Sequence, residues 1–214
     1  MKGAHLDDTD EIRDLGFLVR KDLNFDAHCE KIAALATRRM YALFRALSST
    51  DSATLLNAFK TYVRPILEYG TVIFNPYRRK AIMLLEKVQN SFTRKLLIRT
   101  IGGFRYDQIP CSKSRNFNLG LSSLAERRRK FDLIMIYKIL YGYTDLKQEM
   151  LFSTRESVTR GTSRKLVLKR ARKNIRKHFL VNRAGPDFEV LIKKSIIASK
   201  LVTFMKILEE YLKS

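Results

Sequence analysis

The sequence predicts a mainly α protein, with a little β structure at its start and near residues 165–190. Three observations carry that expectation. Apolar residues recur at three- and four-residue steps over several long stretches, the period that gathers them on one face of a helix. Residues suited to helix N-termini stand just ahead of those stretches: Asp51-Ser52, Asn75-Pro76 and Ser123. Of 214 residues, 45% are hydrophobic and 29% charged, a balance that supports a packed core rather than a disordered chain.

The elements follow in order. The first ten residues read as a frayed tail, and DLGFLV at 14–19 as a short strand poor in helix formers. From Asn24 to about Leu47, His28, Ile32, Leu35, Met40, Leu43 and Leu47 fall broadly on one helix face. A second helix starts near Asp51-Ser52 and carries Leu55, Leu56, Phe59, Tyr62 and Val63, until Pro65 kinks or ends it. Asn75 before Pro76 is the expected opening of a third helix, running to about Arg99 with Ile82, Leu85, Val88, Phe92 and Leu96 inward. Gly102-Gly103 breaks the pattern, and 100–120 reads as loop. Ser123-Leu124-Ala125-Glu126 has capping-box spacing and starts a fourth helix that Gly142 ends. That helix is apolar almost all round from Phe131 to Tyr141, so it belongs in a core. Residues 153–188 are ambiguous: Leu168, Ala171, Ile175 and Phe179 make a helical stripe, yet Lys165-Leu166-Val167-Leu168 fits a strand. A last amphipathic helix spans roughly Lys193 to Leu212, with Ile197, Leu201, Phe204, Leu208 and Leu212 aligned.

Charge narrows the function. There are 42 Lys plus Arg against 21 Asp plus Glu, a formal net charge of +21. So large an excess calls for a polyanionic partner, nucleic acid first and an anionic membrane surface second. An enzyme for a small acidic substrate needs only a few cations in one cleft. Residues 1–30 hold four basic and eight acidic side chains, a net of −4, which leaves +25 for the rest. The densest stretch, 151–180, has ten basic residues and one acid, Glu156.

Several classes fall away. Cys29 and Cys111 cannot build a disulfide framework, which suits a reducing cytosol or nucleus. With His5, His28 and His178 they show no zinc-ligand spacing. The central apolar run Leu133 to Tyr137 is too short to span a bilayer, and MKGAHLDDTD has no signal-peptide core. Glycine-rich phosphate loops, G-x-S-x-G and H-E-x-x-H are absent. Asp7, Asp8, Asp10 and Glu11 invite a two-metal reading, but no flanking strand holds those carboxylates in place. His28-Cys29 reads as helix packing.

Four basic constellations remain. Lys31, Arg38 and Arg45 lie seven apart on the first helix, and Lys80, Lys87 and Arg94 do so on the third. Seven residues are nearly two turns, so each set makes a ridge able to follow phosphates. The competing reading is a solvated face, although between Lys31 and Lys60 the one acid is Asp51. The run Arg127-Arg128-Arg129-Lys130 occupies a helix N-terminus, where the dipole disfavours cations. A nearby anion would answer that cost; pairing with Glu126 and Asp132 would answer part of it. The stretch from Arg160 to Lys177 suits a basic ribbon or helix on nucleic acid, a basic segment on anionic lipid, or a nuclear-localisation signal.

The motifs resemble a known family. Asp14-Leu15-Gly16, Leu23-Asn24-Phe25 and His28, followed by the first helix, resemble the region after the catalytic palm in non-LTR (LINE-type) retrotransposon reverse transcriptases. Tyr62-Val63-Arg64-Pro65-Ile66-Leu67-Glu68-Tyr69-Gly70 is similar to that family's V-R-P-x-L-E-Y signature. Glu86-Lys87-Val88-Gln89-Asn90-Ser91-Phe92-Thr93-Arg94 resembles its E-x-V-Q-x-x-F-T-R helix. Leu119-Gly120-Leu121, Leu124, Arg127-Arg128, Asp132-Leu133 and Tyr137 to Gly142 resemble its L-G-L-x-S-L-x-x-R-R…D-L…Y-K-I-L-x-G block, and Thr159-Arg160-Gly161 a downstream T-R-G. The matches span about 12–208 in order. Departures are Phe74 where the family has Trp in V-x-W-x-P, and Phe188-Glu189-Val190-Leu191-Ile192 in place of W-N-x-L-P. The F/Y-A-D-D strand that holds the metal-binding aspartates is not found.

The resemblance implies a C-terminal fragment: a primer-grip remnant at 1–23, a thumb-like helical domain at 24–100, a loop and buried helix packing on the thumb at 101–152, and a basic region at 153–214. It also implies a basic β-ribbon, rather than a helix, near 160–190. The expected function is sequence-independent binding of RNA or an RNA–DNA duplex, without polymerase activity by itself. The alternatives are a part of a longer RNA-directed DNA polymerase and a basic interaction or membrane-surface module. Candidate phosphate-binding residues are Arg38, Arg64, Arg94, Lys95, Arg99, Arg127, Arg128, Arg160, Arg164, Lys169, Arg172 and Arg176. For Arg64 the competing role is helix-end pairing with Glu68. No cofactor is expected, Mg2+ entering only with a palm from a longer product. Partners are nucleic acid and that palm domain, with no small-molecule substrate, and the location is nuclear or cytoplasmic.

Overall fold

An antiparallel hairpin opens the described part of the chain: β1 (Glu11–Asp14) pairs with β2 (Phe17–Arg20), Glu11 opposite Arg20 and Asp14 opposite Phe17. The computed structural model describes residues 9–102, 108–156, 164–168, 170–194 and 200–213. The chain is mainly helical and divides into two compact units, one of Met1–Tyr69 with Pro76–Leu119, the other of Gly70–Asn75 with Gly120–Ser214. The expected single strand over 14–19 is a hairpin instead. Leu15 and Gly16 both take positive φ, 44° and 89°, the backbone of a two-residue turn. The Tyr69 hydroxyl donates to the Leu15 carbonyl at 3.2 Å, and its ring stacks on Phe17.

The first unit is built on α1 (Asp26–Ala46), α2 (Ser52–Tyr62), α3 (Arg64–Glu68), α4 (Arg79–Ile101) and α5 (Ser112–Asn118). Asp51 caps α2 as expected, accepting from the Thr54 amide at 2.7 Å. Leu55, Phe59 and Val63 are fully buried, whereas Tyr62 faces solvent, as Leu35 does on α1. Pro65 sits in the first turn of α3, where no backbone donor is needed, so it starts a short helix after α2 has ended. Phe92 of α4 stacks on Phe59 at 4.1 Å and lies 5.6 Å from Phe44, joining α1, α2 and α4 in one core. Fully burying a side chain of this size contributes about 1.5–3 kcal/mol.

Two expectations about this unit are corrected. Asn75 does not cap α4: the helix begins at Arg79 with Arg78 at its N-cap. Arg78 donates to Asp26 at 2.8 Å, which fixes the start of α4 against the start of α1. The segment 100–120, expected to be loop, contains α5; seven residues with none buried leave no apolar period to detect.

The second unit holds α6 (Leu124–Leu140), α7 (Gln148–Leu151), α8 (Asn174–Lys177), α9 (Leu180–Lys194) and α10 (Leu201–Lys213). Its hairpin pairs β3 (Ser153–Glu156) with β4 (Arg164–Val167). The capping box of α6 is present, Ser123 Oγ accepting from the Glu126 amide at 3.1 Å and the Glu126 carboxylate from the Ser123 amide at 3.0 Å. Leu133, Ile136, Tyr137 and Ile139 pack with Phe188 and Leu191 of α9 and with Phe204 and Leu208 of α10. Tyr137 and Phe204 stack at 4.1 Å. One division between units falls inside the expected 101–152 segment, and another sets Gly70–Asn75 of the expected 24–100 domain in the second unit.

The basic ribbon lies earlier than expected, in strands at 153–156 and 164–167, and the described residues from 174 to 194 are largely helical. Gly185-Pro186 hides α9 in the sequence, because the pair reads as a break. A Cβ on Gly185 would lie 2.5 Å from Leu168 Cδ2, the end of an exposed side chain. Lys193 belongs to α9, so the expected last helix begins instead at Leu201; Ile197 lies outside the described residues.

Candidate nucleic-acid interface

Lys80, Lys87 and Arg94 fall on one side of α4 and line an open groove with Glu30, Met83, Leu84, Glu86, Asn90, Ser91 and Arg115. The groove continues along α1 past Ala33, Ala34, Thr37, Met40 and Tyr41. Its floor is apolar because these small and aliphatic residues sit at the contact of α1 with α4. Lys80 and Lys87 are exposed and Arg94 is half-buried. Lys80 lies 3.8 Å from Glu30, a solvent-exposed pair of little strength. Beside Tyr41, Lys95 Nζ stands 4.4 Å from the ring centroid. Lys31, Arg38 and Arg45 form the expected exposed ridge on α1, outside the groove lining.

Arg115 of α5 is the cation that sequence reasoning missed, since its segment read as loop. Its guanidinium donates to the Asn90 carbonyl at 3.0 Å, to Thr93 Oγ1 at 3.4 Å and to the Pro110 carbonyl. These acceptors are neutral. Burial, and then the nearby Arg94 charge, push its pKa below the usual guanidinium value. Two guanidiniums crowd one end of the groove.

Other candidates have structural duties. Arg99 donates to the Phe44 and Leu47 carbonyls at 2.6 and 2.5 Å, closing the C-terminus of α1, so it is a helix cap rather than a phosphate contact. Arg64 lies 3.7 Å from Glu68, the competing role named for it, with its side chain 17% exposed. Arg128 is 1% exposed and cannot meet a phosphate from that position. Arg129 pairs with Asp187 and Lys130 with Glu209, each at 2.6 Å, while Arg127 lies over the Phe131 ring. Arg129 and Lys130 thus find acids from α9 and α10 and Arg128 is buried, so three of the four cations in the run are accounted for within the fold. Arg183, also not anticipated, joins the Asp132 carboxylate at 2.7 Å.

Arg172 and Arg176 are exposed at and just before α8. Arg176 borders a shallow depression with Met150, Phe152, Ile175 and Phe179. Arg164 opens β4; Arg160 and Lys169 lie outside the described residues. No helix of the described residues is long and apolar enough to cross a membrane.

Comparison with known proteins adds little to this chemistry. No family model matches the chain, and no solved structure matches it. It is 29% identical over 98 residues to a Caenorhabditis elegans protein described as uncharacterized. That match covers 45% of this chain and 50% of the relative, so the chain spans about half the length of that protein.

Proposed function

We propose that this chain is the thumb and downstream region of a non-LTR retrotransposon-type reverse transcriptase, and that it binds RNA or an RNA–DNA duplex through phosphates. The observation that carries this reading is the gathering of Lys80, Lys87, Arg94 and Arg115 on one groove beside the exposed α1 ridge of Lys31, Arg38 and Arg45. Two acids, Glu30 and Glu86, line the same groove, leaving its lining net positive. Cations of this kind meet phosphates rather than base edges, so binding is indifferent to sequence. By itself the chain grips and does not polymerise; catalytic carboxylates and Mg2+ belong to a palm supplied by a longer product. Its place of action is the nucleus or cytoplasm, where such a ligand is found.

The test is fluorescence anisotropy with labelled RNA and RNA–DNA duplexes of two unrelated sequences across a salt series. The logarithm of affinity should fall linearly with the logarithm of salt, with a slope near −0.9 per phosphate contacted on duplex, and the two sequences should agree. A flat salt response, or a strong preference for one sequence, would refute the reading.

A further inference from the structure

We propose that the groove between α1 and α4, closed at one end by α5, holds a single unpaired strand of nucleic acid, its phosphates along Lys80, Lys87, Arg94 and Arg115. This rests on the nucleic-acid reading above and names the substrate form that this face takes.

The first reason is the shape of the cation line. Lys80, Lys87 and Arg94 are successive seven-residue steps on one helix and border one groove. At about 1.5 Å per residue the line from 80 to 94 is about 21 Å long. A duplex strand completes a turn in about 34 Å, so over that length it travels more than half way round its axis and leaves a straight line of cations. An unpaired strand can straighten and keep its phosphates in reach.

The second reason is the groove's composition. A duplex hides its bases and shows a phosphate surface, for which an apolar floor serves nothing. Here the apolar groups open to the groove are Met83 at 58% and Tyr41 at 47% exposure with Leu84 partly exposed, while Ala33, Met40 and Val88 are buried beneath them. Bases of an unpaired strand have faces to lay on such a floor and on such a ring.

The third reason is the state of the Arg94–Arg115 end. Arg115 is fixed by three neutral acceptors, and no ion pair to a carboxylate neutralises it among the described residues. Arg115 and Arg94 line the same end of the groove, and burial and then the Arg94 charge weigh against the Arg115 charge, so a phosphate there is favoured. At the other end Glu30, 3.8 Å from Lys80, competes with a phosphate for the same ammonium.

The experiment uses the full chain and anisotropy at low salt, with a labelled oligouridine RNA of about 12 nucleotides and an RNA–DNA duplex of the same length. Lys87→Gln with Arg94→Gln should weaken single-strand binding by about tenfold or more and shrink its salt slope by about 1.4, that is about 0.7 per cation lost. Duplex affinity should stay within about threefold, because the exposed Lys31, Arg38 and Arg45 of the α1 ridge remain. Circular dichroism checks that the double variant folds; if it does not, Glu30→Gln decides, since it removes only an exposed acid. Glu30→Gln should tighten the single strand by about twofold or more, and unchanged or weaker binding overturns the proposal. Equal loss on both ligands also overturns it while the broader reading stands; no loss on either overturns both, since these cations carry that reading. Displacement of the RNA by polyglutamate at equal charge concentration would assign the groove to an acidic peptide instead. Wild-type chain that binds neither ligand removes both readings together.

Discussion

Asp132→Asn should cost the second unit about 3 kcal/mol of stability, the low end of the range for breaking a buried ion pair. The carboxylate is 3% exposed and accepts from Arg183 Nε at 2.8 Å, from Arg183 Nη2 at 2.7 Å and from Asn75 Nδ2 at 3.0 Å. Arg183 also donates to the His178 carbonyl at 2.9 Å and the Val72 carbonyl at 2.8 Å, which ties the 70–75 segment into that unit. Asparagine keeps one acceptor but strips the charge, leaving a guanidinium 12% exposed without its counterion. Arg183→Met should cost more, about 4–6 kcal/mol, because the carbonyl hydrogen bonds go as well at about 1 kcal/mol each. Asp132→Leu combined with Arg183→Met leaves no orphaned charge and should recover most of the loss. Against a total of about 5–15 kcal/mol for a domain, each single change is large. The chain has no Trp, so urea unfolding is followed by far-UV circular dichroism and analysed by linear extrapolation. A loss below about 1 kcal/mol for Asp132→Asn, or a double variant no better than Arg183→Met, would refute the account of a network held by charge.

Two further predictions concern the first unit. His28 is 2% exposed between Phe17 and Phe25, and burial, then Lys31, lowers its pKa from the usual 6.5. Below that value the unfolded chain takes up a proton that the folded one resists, so stability should fall as pH drops from 7.5 toward 5.5. His28→Gln should flatten that part of the profile in urea titrations at several pH values, and parallel profiles would count against it. Arg99→Met should destabilise by about 2 kcal/mol, since a charged donor to two helix-end carbonyls is lost. Its nucleic-acid salt slope should match wild type, and a slope reduced by about 1 would return Arg99 to the binding face.

What could be read from the sequence was what is decided within one or two turns of chain. Asp51 and the Ser123–Glu126 box act on amides two or three residues away, so their types and spacing suffice. Asn75-Pro76 has the same local chemistry, yet the Asn75 amide goes to a carboxylate 57 positions on, and the helix starts elsewhere. Gly185-Pro186 looks like a stop and lies inside α9, because the packing of Phe188 and Leu191 outweighs the local preference. The cations were legible in number and not in duty. Arg38, Arg99, Arg128 and Arg183 are one residue type in one basic chain, but the first is exposed, the second caps a helix, and the last two are buried or nearly so. Pairs such as Arg129–Asp187 and Lys130–Glu209 join residues 58 and 79 positions apart, beyond any pattern of neighbours. With such cations set aside, Lys31, Arg38 and Arg45 on α1 and Arg172 and Arg176 near α8 are among the described cations left exposed, and the Lys80–Lys87–Arg94 line with Arg115 borders a groove. At the start of α6, which looked the more pointed signal because the helix dipole opposes cations there, Arg129 and Lys130 are held by acids of the fold and Arg128 is buried. The less pointed one, a seven-residue spacing on α4, is where the groove lies.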